Sequence, residues 1–278
     1  MKTAFVCDST LQVNEEFCKN YPLPIVPLEV RLDDELYEDN VTITPEEFYK
    51  KINSGMKPST SQPSVGKILE VYENLKAQGF ERIVVFTVTS KLSGTYSSFT
   101  QASELIEGID IKIIDTLQVA RIVGCAVEKI IKDFSNGNLA YENIEDECRK
   151  LLKQQNILVT IENMDFLYAG GRLTKTQFLL SNFLNILPII TIKDGILDVS
   201  GKHRGMSKVL TKICEEIKEK DPKSLIILYT TDDLLKKAQD VVAKTFGNIE
   251  TEAIIISPVI GTHAGPRAVG IGYLEYEK

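Results

Sequence analysis

The chain holds only two histidines, His203 and His263, among 278 residues, and it has no Cys-x-x-C pair. Its five cysteines, Cys7, Cys18, Cys125, Cys148 and Cys214, are odd in number and widely spaced. That pattern argues against a disulfide framework or a zinc site and for reduced thiols. No apolar run approaches the roughly 18–20 residues of a membrane helix. No signal-peptide pattern opens the chain, because Met1–Lys2 leads directly into the apolar, strand-like Thr3–Asp8. The net charge of −7 is spread along the sequence without a basic stripe, which disfavours nucleic acid as a partner. The expectation is a cytoplasmic protein with no metal, no cofactor and at most transient membrane contact.

Standard catalytic signatures are missing too. Ser93 lacks the nucleophile-elbow frame, since Lys91 and Thr95 stand where glycines belong. Gly195 to Gly201-Lys202 is followed by His203 rather than Ser or Thr, so no phosphate-binding P-loop is present. Gly265, Gly270 and Gly272 do not fit the dinucleotide fingerprint G-x-G-x-x-G.

What is there is an alternation of strands and helices. Ile83–Val88 is a continuous β-branched run, the pattern of a strand buried on both faces. Ile111–Ile114 reads the same way, and Pro24–Arg31 with Glu35–Asp39 reads as a hairpin around Asp33–Asp34. Ser64 caps a helix whose apolar positions Val65, Ile68, Leu69, Tyr72 and Leu75 recur at helical spacing until Gly79. Gly94–Ile106 and Leu117–Phe134 read as further helices. After about residue 156 the pattern becomes mixed. Asp194–Gly195 is a hairpin turn between Leu187–Lys193 and Ile196–Ser200. Helices at Ser207–Lys220 and from Asp232 to Thr245 then alternate with strands at Ser224–Tyr229, Glu252–Ile256 and Ala268–Tyr276. These readings predict an α/β protein of two domains. Residues 1–156 would form a mostly parallel sheet flanked by helices, and residues 157–278 an α+β domain with a mixed sheet.

Four loops carry polar or glycine-rich chemistry. Pro58–Ser64 clusters hydroxyls before a helix, as a plain cap or as donors to an anion. Thr89–Tyr96 follows a buried strand, where open α/β sheets bind ligands. Its Ser93-Gly94-Thr95 entry permits close backbone approach. Gly261–Pro266 places His263 in a glycine-rich turn, and Gly170-Gly171-Arg172 aims a cation either at a phosphate or at solvent. Arg204 beside His203 is similar but weaker.

Together, Asp8-Ser9-Thr10, Thr60-Ser61-Gln62-Pro63-Ser64, Leu92-Ser93-Gly94-Thr95-Tyr96, Gly170-Gly171-Arg172 and Gly261-Thr262-His263-Ala264-Gly265-Pro266 resemble the DegV family, in family order across nearly the whole chain. The resemblance implies a protein that holds one long-chain fatty acid. It would present the carboxylate to a partner ATP-dependent fatty acid kinase and carry the acyl-phosphate toward phospholipid synthesis. On that resemblance the carboxylate-binding residues are Ser61, Ser93, His263, Thr60, Gly94 and Thr262, with Ser61 favoured over Thr60. Arg172 and Arg204 would face the phosphate or the partner. One departure is Arg267, where the family often has glycine; it would add positive charge near the head group. The acyl tail has two candidate sites, Phe178–Pro188 and Leu117–Ile131. Two alternatives remain open: a small-molecule hydrolase or transferase using Ser93 as nucleophile and His263 as base, and a lipid-sensing regulatory module without a kinase.

The energetics suit a fatty acid. Burying ~15 methylenes at about 0.8 kcal/mol each gains roughly 12 kcal/mol gross. Association costs on the order of 4–15 kcal/mol, so the tail must dominate affinity and the polar loops must set orientation.

Overall fold

The computed structural model describes residues 1–173 and 186–277. The chain begins with β1 (Thr3–Asp8), a single 3-10 turn at Ser9–Leu11, α1 (Glu15–Asn20), β2 (Ile25–Val26), β3 (Glu29–Leu32) and β4 (Glu35–Glu38). Next come α2 (Pro45–Asn53), β5 (Pro58–Ser61), α3 (Val65–Ala77), β6 (Arg82–Thr87), α4 (Thr95–Ser103) and β7 (Asp110–Asp115). Then follow α5 (Arg121–Ser135), α6 (Ile144–Lys153), β8 (Gln155–Ile161) and α7 (Asp165–Ala169). Beyond residue 185 lie β9 (Ile186–Lys193), β10 (Ile196–Arg204), α8 (Met206–Lys218), β11 (Ser224–Tyr229), α9 (Asp232–Phe246), β12 (Glu250–Ile255), α10 (Pro258–Ala264) and β13 (Ala268–Leu274).

Three sheets organise these elements. The first is wholly parallel, in the order β2-β1-β6-β7. Its central strand β6 is buried on both faces, Val84 and Phe86 in one apolar cluster and Ile83 and Val85 in another. This is why its sequence runs apolar without alternation. The second is mixed, in the order β10-β9-β8-β13-β11-β12. The β9–β10 hairpin turns at Asp194 (φ 51°) and Gly195 (φ 82°), two successive left-handed residues as a tight hairpin requires. The third sheet is small and antiparallel, β4-β3-β5.

The α/β architecture with a parallel and a mixed sheet matches the sequence reading, and local details differ. Pro24–Arg31 is not one strand: β2 joins the parallel sheet and β3 the small one. The helix expected from Leu117 begins at Arg121, because Leu117 and Ala120 take positive φ (52° and 69°). α2 starts on a full capping box, Thr44 with Glu47 around Pro45. None of the five cysteines is in a disulfide.

Candidate functional site

An apolar cavity lies between the parallel and mixed sheets, with about 990 Å³ of empty space including its open mouth. Its walls come from every side: Val88 and Leu92 after β6, Val119 and Ala120 before α5, Ile157 and Val159 of β8, Ile190 and Ile192 of β9, Leu228 of β11, and Val259 and Ile260 of α10. Two glycines on β13, Gly270 and Gly272, have no room for a side chain. A Cβ at Gly270 would stand 2.7 Å from Val159 Cγ2, and one at Gly272 would stand 2.6 Å from Ile122 Cγ2. Of the two expected tail sites, Leu117–Ile131 contributes Val119 and Ala120, while its helix is otherwise core. The other, Phe178–Pro188, falls largely outside the described residues.

The polar residues in the cavity's lining are Thr10, Thr60, Ser93, Arg172, Thr191 and His263; Thr60, Ser93 and Arg172 also border the polar space at its mouth, and His263 hydrogen-bonds to Thr60. Each is placed by a different element. Thr60 is on β5, whose backbone is held by pairing with β3. Its Oγ1 is 2.9 Å from His263 Nε2. His263 is carried by α10, a short helix with Pro258 at its first turn rather than the turn expected from its glycines. Asp39 docks this helix, its Oδ1 accepting from Val259 N at 3.0 Å. Tyr49 OH donates to Ile256 O at 3.0 Å. Ser93 Oγ is 2.8 Å from Thr95 Oγ1 and accepts from Thr95 N at 3.3 Å. With Thr95 as donor in both, the Ser93 proton is left for a ligand. Arg172 Nε donates to Leu92 O at 2.9 Å and its Nη1 to Gly170 O. No ion pair among the described residues includes Arg172, and its hydrogen-bond partners among them are these two carbonyl oxygens.

Burial, and secondarily the Arg172 charge, push the His263 pKa down to about 4. The imidazole is therefore neutral near pH 7. Its Nδ1 is buried with no partner among the described residues, and a Cβ on Gly170 would lie 2.2 Å from it. The tautomer follows from cost. A buried N–H without an acceptor is more expensive than a bare lone pair. The proton thus sits on Nε2 and is donated to Thr60 Oγ1, and the Thr60 hydroxyl proton is free to point at an anion.

Two buried carboxylates brace the cavity wall from behind. Asp8 accepts from Thr10 N (2.9 Å), Thr10 Oγ1 (2.5 Å) and Val88 N (2.7 Å). Burial raises both Asp8 and Asp39 to about 6, against the hydrogen bonds that lower them.

A second, polar chamber of about 580 Å³, open to solvent, adjoins the mouth. It is lined by Leu28, Thr60, Ser61, Gln62, Ser93, Gly94 and Arg172. Of the pair left open by the sequence, Thr60 lines both spaces, while Ser61 is exposed and lines only the outer one. Successive strand residues point to opposite faces, so the two hydroxyls cannot share one role. Gly94 stands at the N-cap of α4 and lines the chamber. Three residues stand apart. Thr262 is buried with its hydroxyl donated to Pro258 O. Arg204 is exposed at the end of β10 and lines neither space. Arg267 binds Glu162 and Asp233 rather than adding charge at the head group. Among the described residues no helix is long and apolar enough to cross a membrane, and no cluster of three or more His, Cys, Asp or Glu could hold a metal.

Known proteins share this fold. A DegV domain-containing protein of Caldanaerobacter subterraneus subsp. tengcongensis is 32% identical over 281 residues, covering 99% of each chain. The crystal structure of a DegV lipid-binding protein from Thermotoga maritima superimposes with a TM-score of 0.85 at 28% identity, covering 99% of this chain and 98% of that one. A fatty-acid-binding DegV family protein from Thermus thermophilus does so with a TM-score of 0.88 at 26% identity, covering 99% of this chain and 100% of that one. The profile of the family described as "Uncharacterised protein, DegV family" matches residues 2–276, nearly end to end, and the chain belongs to the DegV family.

Proposed function

We propose that this protein binds a single long-chain fatty acid in the apolar cavity and presents its carboxylate to a partner ATP-dependent fatty acid kinase, carrying the acyl-phosphate for phospholipid synthesis. The observation that carries the reading is the cavity's polarity gradient. Aliphatic side chains from the mixed sheet, from the loops that follow β6 and β7 and from α10 line its body, while Thr60, Ser93 and Arg172 border the adjoining polar chamber and His263 hydrogen-bonds to Thr60. An alkyl tail is what such a wall accepts. Two hydroxyls and a guanidinium that no ion pair among the described residues includes can donate to a carboxylate, and a buried anion without such partners is prohibitively costly. The lipid-binding relative from Thermotoga maritima and the fatty-acid-binding one from Thermus thermophilus support the ligand class. The kinase step rests on the family resemblance and on the polar chamber beside the mouth, which leaves room for a phosphoryl group.

In this reading the Thr60 and Ser93 hydroxyls hold the carboxylate and His263 orients the Thr60 hydroxyl from behind, with Ser61 and Gly94 facing the outer chamber and Arg172 balancing charge. The Ser93–His263 hydrolase reading is weaker. The nearest hydroxyl to His263 Nε2 is that of Thr60, the Ser93 hydroxyl is engaged by Thr95, and no carboxylate among the described residues orients Nδ1.

The test is turnover with a fatty acid kinase catalytic subunit, oleate and ATP, with acyl-phosphate trapped by hydroxylamine as a hydroxamate. Hydroxamate that depends on this protein supports the proposal. Its absence, in protein shown to bind oleate, removes the kinase role and favours a lipid-sensing module.

A further inference from the structure

Gly94 has no room for a side chain. A Cβ there would stand 1.8 Å from Gln62 Oε1, 2.7 Å from Cδ and 3.1 Å from Nε2. The Gln62 carboxamide therefore lies directly on Gly94, at the N-terminal end of α4, inside the polar chamber it shares with Thr60, Ser93 and Arg172. It is not a helix cap, since α4 has no side-chain cap bond. Nor does the Gln62 side chain have a hydrogen-bond partner among the described residues.

The neighbouring residues limit what Gln62 can do. Pro63 confines the Gln62 backbone to extended conformations, and β5 fixes the preceding Thr60 and Ser61 against β3. Only the side chain is left to move. Its terminal torsion is broad and roughly two-fold, so the amide can turn its oxygen or its Nε2 to the same place at little cost. Turned one way it repels an anion; turned the other it donates to one. Glycine at 94 is what allows the amide to reach that place beside Ser93.

We infer that Gln62 is a head-group-binding residue, whose amide, resting on Gly94 beside Ser93 and Arg172, donates Nε2–H to the anionic head of the bound lipid. This inference rests on the fatty-acid reading and adds a donor that the loop resemblance does not assign. The residue type fits the task. Leucine would fill the same space and donate nothing, and glutamate would place a second anion against the first.

The experiment compares Gln62→Leu, Gln62→Glu and the parent protein for oleate and for oleyl alcohol, which has the same tail without the charge. Oleate affinity should fall three- to tenfold in Gln62→Leu and at least tenfold in Gln62→Glu, on the order of 1.4 kcal/mol for each tenfold step. Oleyl alcohol should stay within about twofold in both. Gln62 is exposed, so thermal melting should match the parent and exclude misfolding as a cause. Parent and variants binding oleate alike would overturn the assignment, as would parallel losses for oleate and alcohol. A parent that binds neither probe would overturn the fatty-acid reading itself and this assignment with it.

Discussion

Replacing Thr60 by valine removes one hydroxyl and keeps the branched shape on β5. Two partners lose by it. His263 Nε2–H loses its acceptor at 2.9 Å, while the Nδ1 lone pair already has no donor among the described residues. The ligand carboxylate loses a donor. A hydrogen bond to a charged group contributes about 1.5–3 kcal/mol, so oleate affinity should fall roughly ten- to a hundredfold. The cavity walls are untouched, so oleyl alcohol, which makes only neutral hydrogen bonds, should fall by less than about fivefold. Thr60→Ser should recover most of the oleate binding. Displacement of a fluorescent fatty acid from delipidated protein measures all three. A Thr60→Val protein with an unchanged melting temperature and oleate affinity within twofold of the parent would refute the head-group geometry and the His263 tautomer derived from it.

Gly170→Ala should damage the same site from outside it. Its Cβ would stand 2.2 Å from His263 Nδ1 and 3.2 Å from Phe166 O, so the ring must move, at about 1–3 kcal/mol. Thermal unfolding reads the loss, and oleate binding should weaken with it. Ala120→Gly should raise stability by about 1 kcal/mol, because Ala120 holds φ 69° and ψ −170°, a region that only glycine adopts freely; chemical denaturation reads the gain. The pH dependence has two opposed parts. His263, pushed down to about 4, destabilises the fold as pH drops from about 6.5 to 4, because the unfolded chain then binds the proton that the folded chain refuses. Asp8 and Asp39, raised to about 6, act the other way between about 6 and 4, where the folded chain takes up protons first. In His263→Gln the first part vanishes, so stability should rise more, or fall less, than the parent's on acidification from pH 6.5 to 4. Denaturant titrations across that window check the sign.

Much of this was legible in the residues, for identifiable physical reasons. Ile83–Val88 declares a doubly buried strand through its β-branched run, and Asp194–Gly195 declares its hairpin through turn chemistry. Ser93 was visible because it follows such a strand and precedes a helix. What stayed hidden depends on partners distant in sequence. Pro58–Ser61 has no apolar alternation and reads as a loop; it becomes β5 only by pairing with Glu29–Leu32. Reading it as a loop left only the resemblance, which favoured Ser61, to choose between Thr60 and Ser61, whereas a strand separates them. The helix that carries His263 was masked by Gly261 and Gly265, although Ser257-Pro258 is a recognisable start. Asp39 sits in a polar stretch that suggests exposure, and only the fold buries it against Val259. The reach of Arg172 to Leu92, and of Arg267 away from the cavity to Glu162 and Asp233, is likewise tertiary.

Native mass spectrometry of the protein purified from bacterial cells without added lipid asks the central question most directly. The account predicts a population heavier than the polypeptide by one long-chain fatty acid, released on denaturation and identifiable in the extract. Bare polypeptide mass, together with failure of the same protein to take up oleate or palmitate, would contradict it.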